Sequence, residues 1–473
     1  MGFEVWGPGP VPRPDGMGFN PPYWHLKLML GNMPMSSSNH TISTFLLCIL
    51  SFVALVPKSH AAIAEYDDYL LKRAEESYEE SLKAFDPNPE KLADELNEQV
   101  GETLISENVT RRHLKQDDCK ATNPIDRCWR CDPNWAKNRK SLAECARGFG
   151  HHTTGGKDGK FYVVTDPSDD DMDKPKPGTI RHAVIQPQPL WIIFNHSMVI
   201  KLKEELIFAS DKTIDGRGVQ VHIAGGAGLT LQFVHNVIIH NIWIHNIVPT
   251  SGGMIRDAVA HIGLRTRSDG DAISVFSSNN IWIDHVSLSK ASDGLIDVIE
   301  GSTAVTISNC KFNHHDAVML LGAHDSDTKD SIMQVTVAFN RFGEGLVQRM
   351  PRCRWGFFHV INNVYSKWRM YAIGGSAHPT IISQGNRFKA SNNPNTKQVT
   401  KREATENEWK KWQWRSEGDK FVNGAYFSES GPKIKHTRNP FTKKNFIKFR
   451  PGSYAGRLTR YAGALKCRAG KLC

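Results

Sequence analysis

From about residue 162 onward the chain contains short runs of β-branched and aromatic residues, most of which end in Asn or His. Apolar and polar positions alternate within each run, which predicts β-strands that bury one face. The central part of the chain is therefore predicted to be all-β. The clearest runs are 237–241, 281–285, 305–309, 335–340, 358–363 and 380–386.

Four asparagines that close these runs indicate the repeat length. Asn309, Asn340, Asn363 and Asn386 are separated by 31, 23 and 23 residues, close to one coil of a parallel β-helix. A β-sandwich also has short strands, but it does not predict a strand followed by Asn at this interval. Asn adopts the left-handed conformation readily and can hydrogen-bond along a stack of coils. We therefore predict a parallel β-helix in which these asparagines are structural.

A helical periodicity precedes the strands. Over residues 65–115 apolar side chains recur at helical spacing among Glu and Lys. We predict a small helical N-terminal extension at 65–118, either a pro-region or an accessory segment, followed by the β-helix domain at 119–430. The residues that carry this period are Tyr66, Tyr69, Leu70, Ala74, Tyr78, Leu82 and Phe85.

The apolar run 44–56 is too short for a comfortable membrane span and is followed by small residues at cleavage spacing. It predicts a signal peptide cut after Ala61 or Ala64, and hence a secreted protein without stable membrane insertion. Residues 1–64 form the lead and signal, and translation starting at Met33 or Met35 would give a signal of normal length. A membrane anchor behind a short cytosolic lead is the alternative.

The charge balance is basic and the basic residues concentrate at the C-terminus. The 473 residues carry a formal charge of +10, and no Asp or Glu occurs in the strap 431–473. A basic surface suits a polyanionic partner, although such a strap can equally lie over the fold with its charges in water. Because no nucleic-acid-binding motif is present, a nucleic-acid partner is not expected.

The cysteines predict disulfides. Loss of Cys48 with the signal leaves eight cysteines, an even number that favours disulfides in a secreted chain. Cys128 and Cys131 could instead form half of a zinc site, but no second CxxC completes it. Asn108 and Asn195 stand in glycosylation sequons.

Four carboxylates are candidates for a metal site. Asp269 and Asp271 lie about one coil before Asp293 and Asp297, so that stacking of the coils would bring all four together. Carboxylates that converge require a neutralising cation, and oxygen ligands suit calcium. The alternative is that Asp and Gly mark β-turns here.

Three arginines follow each other closely at Arg349, Arg352 and Arg354. Such clustering is unfavourable without an anion, and guanidinium groups bind carboxylates in bidentate fashion. The alternative is that the arginines pair with acids such as Glu344 or lie in solvent.

Together these motifs resemble polysaccharide lyase family 1, the pectate lyases, and most closely its plant branch. The resemblance covers about 119–430, and 65–115 resembles the N-terminal extension of pollen-type members. It implies a right-handed parallel β-helix. The matching motifs are 215–218, 268–271, 282–285, 318–322, 343–354 and 370–376.

The resemblance implies a calcium-dependent enzyme, expected to be monomeric, that cleaves polygalacturonate by β-elimination and leaves 4,5-unsaturated ends in the plant cell wall. Arg349 matches the residue that takes the C5 proton, and Arg354, with Arg352 beside it, matches a contact to the substrate carboxylate. Asp284 and His285 are expected to support the core. The implied calcium ligands are Asp269, Asp271, Asp293 and Asp297.

The resemblance also implies a pairing of the cysteines. It gives the disulfides Cys128–Cys145 and Cys467–Cys473, and leaves Cys119–Cys131 as a third. Cys310 and Cys353 are then expected to be buried free thiols.

One position departs from the family pattern. Ala317 stands where characterised bacterial members have a substrate-binding Lys, which keeps open a weakly active or non-catalytic pectin-binding wall protein. A polygalacturonase is disfavoured because its Gly-His-Gly and Arg-Ile-Lys motifs are absent. A pectin lyase is disfavoured because a neutral ester does not require a carboxylate cluster or calcium.

Overall fold

Three parallel β-sheets wind around a common interior, and each full coil contributes one strand to each sheet. The computed structural model describes residues 67–112, 119–432 and 452–473. The parallel β-helix predicted from the strand and asparagine pattern is therefore confirmed.

In the described residues the helices are α1 (Asp68–Ala84), α2 (Pro89–Arg112), α3 (Pro124–Trp129), α4 (Ile180–Val184), α5 (Glu406–Trp409) and α6 (Ala455–Leu458), with 3-10 helices at Arg139–Cys145, Thr328–Ile332 and Pro394–Thr396. The strands are β1 (Lys160–Val164), β2 (Leu190–Phe194), β3 (Met198–Ile200), β4 (Leu206–Ile207), β5 (Lys212–Asp215), β6 (Val221–Ala224), β7 (Leu229–Gln232), β8 (His235–His240), β9 (Trp243–His245), β10 (Gly253–Ala258), β11 (His261–Arg265), β12 (Ile273–Phe276), β13 (Asn279–Asp284), β14 (Ser287–Ser289), β15 (Ile296–Ile299), β16 (Thr303–Ser308), β17 (Lys311–Asn313), β18 (His315–Ala317), β19 (Met319–Leu321), β20 (Gln334–Ala338), β21 (Arg341–Phe342), β22 (Leu346–Gln348), β23 (Arg352–Arg354), β24 (Phe357–Ile361), β25 (Val364–Ser366), β26 (Ile373–Ser376), β27 (Thr380–Gln384), β28 (Arg387–Lys389), β29 (Thr400–Arg402), β30 (Trp414–Glu417) and β31 (Lys420–Val422).

The strand order shows how the coils stack. The ten-stranded sheet is β1-β2-β5-β8-β13-β16-β20-β24-β27-β30, and the nine-stranded sheet is β3-β6-β9-β14-β17-β21-β25-β28-β31. The eight-stranded sheet is β4-β7-β12-β15-β19-β23-β26-β29. Two small pairs project from the coils: the antiparallel hairpin β10–β11 and the parallel pair β18–β22.

The asparagine spacing follows from the strand register. Val305 pairs with Val335, thirty residues later, whereas Val335 pairs with Phe358 and Phe358 with Ile381, each 23 residues later. The longer coil contains the loop 322–332, between β19 and β20. The irregular interval in the sequence therefore records an insertion into one coil of the solenoid.

A side-chain ladder connects the later coils. The backbone N–H of Asn340 donates to Asn363 Oδ1, and that of Asn363 donates to Asn386 Oδ1, both at 2.7 Å. The left-handed backbone lies one residue earlier, at Phe339 and Asn362, so its predicted placement on the ladder asparagines is wrong. Asn309 is left-handed but stands outside this ladder, donating instead from Nδ2 to Asp284.

The interior of the coils is apolar and includes a stack of aromatic rings. Phe312, Phe342, Tyr365 and Phe388 lie on successive strands of the nine-stranded sheet, with centroid separations of 4.9, 4.6 and 4.6 Å. All four are fully buried. Stacked rings on equivalent positions fill the interior without gaps and fix the register between coils.

In the N-terminal extension, α1 lies along turns that lead from the eight-stranded to the ten-stranded sheet, and α2 contacts the ten-stranded sheet. The helix α1 is capped by Asp67, whose Oδ1 accepts from Leu70 N at 3.0 Å. Ser77 Oγ donates to Ser277 O at 2.5 Å, in a buried contact. In α2, Asn97 Nδ2 donates to Gln384 Oε1. The predicted helical character is confirmed, and the bounds 65–118 and 119–430 stay predictions.

The segments that precede and follow the coils both contain disulfides. The disulfides are Cys119–Cys131, Cys128–Cys145 and Cys467–Cys473, and the free thiols Cys310 and Cys353 are buried. The cysteine predictions are confirmed, and the zinc alternative fails because Cys128 and Cys131 belong to different disulfides.

The C-terminal residues 452–473 pack against the coils. Gly463 O contacts His285 Nδ1 at 2.9 Å, and Arg130 Nη2 donates to Cys473 O at 2.8 Å. The predicted signal segment and residues 433–451 of the basic strap lie outside the described residues. In the described part of the chain, no helix is both long and apolar enough to cross a membrane.

Candidate active site

Stacking of two coils brings the predicted carboxylates together. Asp269 and Asp271 lie between β11 and β12, and Asp293 lies before β15 in the next coil. One oxygen of each of these three residues lies within 4.8 Å of the others. Asp297 stands on β15 itself, in register with Ser274 of β12.

The cluster contains a space that only a glycine leaves open. A Cβ atom at Gly294 would lie 2.3 Å from Asp297 Oδ1 and 2.9 Å from Asp271 Oδ1. Gly294 N donates to Asp271 Oδ1 at 2.6 Å, whereas Asp297 Oδ1 is buried without a hydrogen-bond partner in the described structure. A water or an ion would satisfy such a buried acceptor, and these hard oxygen donors fit a calcium ion.

The pKa values of the clustered carboxyl groups also indicate a site for a cation. Burial and the neighbouring carboxylates raise the pKa values of Asp271 and Asp297 well above the ordinary carboxyl value. Burial and Asp269 also raise the pKa of Asp293, and the nearby Arg349 opposes this increase. Without a cation the four carboxylates therefore repel each other.

Arg349 is held at the edge of this cluster by its backbone. It follows β22 with a left-handed φ of 59°, and its carbonyl oxygen accepts from Met319 N at 2.7 Å. Its Nε is buried and, among the described residues, has no hydrogen-bond partner. The side chain is therefore positioned beside the acids with an unused donor.

The other two arginines are paired with acids that the sequence did not indicate. Arg354 Nε donates to Asp325 Oδ1 at 2.7 Å, and Arg352 Nη2 donates to Glu403 Oε2 at 2.6 Å. Glu344, the acid named as the alternative partner, is exposed and is the partner of neither guanidinium. Burial and Arg352 lower the pKa of Arg354.

These groups share one outer face of the eight-stranded sheet. Asp297 and Arg352 pair in register with the same residue of β19, and Gly374 and Lys401 continue the row on β26 and β29. A Cβ at 374 would lie 2.3 Å from the ring of Tyr371, so the glycine makes room for that ring. Residues in one register row face the same side. This row forms a strip on the outer face of the sheet, which runs from Asp297 past Arg352 to Lys401.

The short strand β18 borders the cluster on its other side. His315 Nε2 lies 2.5 Å from Asp293 O, and burial lowers the pKa of His315. Ala317, two residues on, pairs with Gln348 of β22 and offers no charged group. Sequence reasoning did not identify His315, because its contact with Asp293 arises only when the coils stack.

Asp284 and His285 take no part in this site. They are fully buried, with His240 Nδ1 3.0 Å from Asp284 Oδ2 and His285 Nε2 2.7 Å from Asp126 Oδ1. Ser308 Oγ also donates to Asp284. Both residues thus belong to the core, which is the role expected from the sequence, and His285 also links the cysteine-rich N-terminal segment to the coils.

The comparisons with known proteins agree with this geometry. A family model described as pectate lyase matches residues 198–409, and a second, described as the N terminus of pectate lyase, matches 62–114. A pectate lyase of Lilium longiflorum is 58% identical over 433 residues, which cover 91% of this chain and 99% of that protein. The chain belongs to the pectate lyase family.

Further pectate lyase relatives support the assignment. One from Zinnia elegans is 58% identical over 375 residues, covering 79% of this chain and 93% of that protein. The crystal structure of jun a 1, the major allergen from cedar pollen, is 47% identical and aligns with a TM-score of 0.69. The alignment covers 72% of this chain and 99% of that chain. The pectate lyase family model spans every predicted metal-ligating and arginine position.

Proposed function

We propose that this pectate lyase cleaves polygalacturonate by calcium-dependent β-elimination and releases oligogalacturonides with 4,5-unsaturated ends. The observation that carries the proposal is the meeting of three aspartate oxygens within 4.8 Å beside Arg349, whose Nε has no partner in the described structure. A uronate has a carboxylate that a calcium ion in the aspartate cluster would bind, and a C5 proton that Arg349 would accept.

The metal would be held by Asp269, Asp271, Asp293 and Asp297. When bound, calcium would neutralise the aspartates and stabilise the charge that develops on the uronate carboxylate. The orphaned Asp297 oxygen and the open space at Gly294 support this ligand set.

Arg349 would receive the proton from C5 of the uronate. As the C5–H bond breaks, its electrons form the C4–C5 double bond, and the C4–O bond breaks toward the leaving sugar, which then takes up a proton. Because an arginine is normally protonated, Arg349 can take this proton only after it has released one of its own to solvent. Arg354 and Arg352 would hold substrate carboxylates.

The location and assembly of the enzyme are part of the same proposal. The predicted signal peptide and the three disulfides fit secretion into the plant cell wall. The enzyme would act as a monomer, with glycans at Asn195, which is exposed after β2, and at Asn108 of α2, whose side chain lies outside the described residues.

A weakly active or non-catalytic pectin-binding protein is the second candidate. The observation that favours it is Ala317, an uncharged residue beside the acidic cluster at the position where characterised bacterial members have a substrate-binding Lys. Lys401, further along the same face, is exposed and offers a replacement charge at a different point of the strip.

The deciding experiment follows the ultraviolet absorbance of unsaturated ends while the purified chain acts on polygalacturonate. We expect absorbance with calcium, none with a chelator, and a loss of at least about 100-fold in Arg349→Ala. Chain shortening without absorbance would point to a hydrolase. Binding without either change would favour the pectin-binding protein.

A further inference from the structure

The loop 322–332, which lengthens one coil, lies beside the end of β23 and carries an acid that contacts Arg354. Asp325 is exposed on this loop, 29 residues before its partner in the sequence. The loop is anchored independently by Asp330, which is fully buried and accepts from Gly301 N at 2.7 Å. The loop therefore has an anchor that does not involve Asp325.

Two contacts fix the plane of the Arg354 guanidinium. Its Nε donates to Asp325 Oδ1 at 2.7 Å, and its Nη1 donates to Gly322 O at 2.7 Å. Within the described residues Nη2 has no hydrogen-bond partner. The protein thus engages Nε and Nη1, and the two N–H donors of Nη2 are left for a ligand.

Asp325 is itself held in place. The same oxygen that receives Arg354 also accepts from Ser376 Oγ at 2.5 Å, and Trp355 Nε1 donates to the backbone oxygen of Asp325 at 3.1 Å. Partial burial opposes ionisation, but the hydrogen bonds from Ser376 and Arg354 prevail and lower the pKa of Asp325. The carboxylate is therefore ionised and oriented.

The side chains of Arg354 and Asp325 differ in solvent exposure, as is suitable for a recessed arginine that binds substrate. The side chain of Arg354 is 12% exposed, and that of Asp325 is 60% exposed. An isolated surface ion pair of this kind contributes little to stability. Its value would lie in orienting a recessed cation, since a small displacement of a binding group weakens substrate recognition strongly.

We propose that Asp325 is a positioning residue, which orients Arg354 so that its free Nη2 donors bind an unesterified uronate carboxylate. The inference rests on the proposed lyase function and adds to it a determinant of specificity. A freely rotating Arg354 would no longer hold Nη2 in the direction needed for a charge-assisted hydrogen bond to a carboxylate, which a neutral methyl ester cannot match.

The test measures trigalacturonate binding in an Arg349→Ala background, so that the ligand stays intact. Asp325→Ala is expected to weaken binding about tenfold, and Asp325→Asn less, because Asn keeps the acceptor but not the charge. The control is Asp173→Asn, which removes another exposed Arg–Asp pair, with Arg256, and is expected to leave binding unchanged.

A double-mutant cycle separates positioning from a structural effect. If Asp325 acts through Arg354, Asp325→Ala will not weaken binding further once Arg354→Ala is present. Equal losses in both backgrounds, or no loss in either, would overturn the proposal. So would failure of trigalacturonate to bind the Arg349→Ala protein, because no uronate would then be bound for Arg354 to contact.

Activity of the otherwise wild-type enzyme is measured separately. Asp325→Ala is expected to raise KM on polygalacturonate with little change in kcat, and to reduce the preference over methyl-esterified polymer. If no unsaturated ends form but the binding cycle gives the expected coupling, the proposed lyase function fails and the positioning role of Asp325 stands.

Discussion

At the scale of single residues, Gly294 limits what the acidic cluster can hold. Any side chain there would occupy the space between Asp271 and Asp297, within 3 Å of both carboxylates. We expect Gly294→Ala to weaken calcium binding at least about tenfold, because the ligands must move apart. Titration calorimetry with calcium would measure it.

The matched control is Gly456→Ala, where an added Cβ meets nothing within 4 Å. It is expected to leave calcium binding unchanged. Equal calcium affinity of Gly294→Ala and the wild type would show that the cation binds elsewhere.

The raised pKa values of Asp271 and Asp297 predict a pH-dependent affinity for calcium. Both carboxyls bind protons at pH values where exposed aspartates are ionised, so protons compete with the cation. Affinity should be highest above the raised pKa values and fall, by about tenfold per pH unit and per competing proton, as the pH decreases through them. Calorimetry between about pH 8 and about pH 5 would measure this slope.

Asp297→Asn serves as the comparison. It is expected to bind calcium more weakly but with a shallower pH dependence, since one titrating ligand is gone. A wild-type affinity independent of pH over the whole range would contradict the assignment of these carboxylates as ligands.

The sequence indicated which residues meet because they lie one coil apart. It did not indicate which residues from loops and strand ends contact the arginines. Asp269, Asp271 and Asp293 could be related by one coil length, because stacking in a solenoid is periodic. Asp325 and Glu403 could not be identified as partners of the arginines. Their contacts depend on how a loop and a strand end fold back, and no short-range pattern encodes that.

At the scale of elements, α1 contributes through buried polar contacts rather than a broad apolar face. We expect Ser77→Ala to lower the free energy of unfolding by about 1–2 kcal/mol, because Ser277 O loses its hydroxyl donor. Thermal and urea unfolding followed by circular dichroism would measure the change.

Glu75→Ala, on the exposed side of the same helix, controls for changes in helix propensity. If the two variants unfold at the same midpoint, the contact between α1 and the turn at Ser277 does not stabilise the coils.

Element prediction worked best where one signal repeated. The short runs of β-branched residues that end in Asn or His predicted the strands of the coils, and the spacing of the asparagines predicted an approximate coil length. The left-handed position was misassigned by one residue, since Phe339 and Asn362 take the bend while Asn340 and Asn363 form the ladder. Asn362 and Asn363 are the same residue type at the same strand end, and the bulky Phe339 is not expected to be left-handed, so residue type does not indicate which position takes the bend.

At the scale of the whole molecule, the formal charge of +10 should assist capture of a polyanion. We expect affinity for polygalacturonate to fall about tenfold between roughly 0.05 and 0.5 M sodium chloride, because salt screens these charges. Affinity electrophoresis at several salt concentrations would measure it. Methyl-esterified polymer provides the uncharged comparison, and equal salt dependence for both polymers would contradict long-range attraction.

The path of the extension has a consequence for how the molecule comes apart. A solenoid couples each repeat only to its neighbours, so its ends can fray one repeat at a time. Here α1 binds the turn at Phe233 through Arg73, and Glu90 at the start of α2 lies 3.5 Å from Arg415, far along the stack. One segment thus connects distant repeats, as a splint does, and favours loss of structure in a single concerted step.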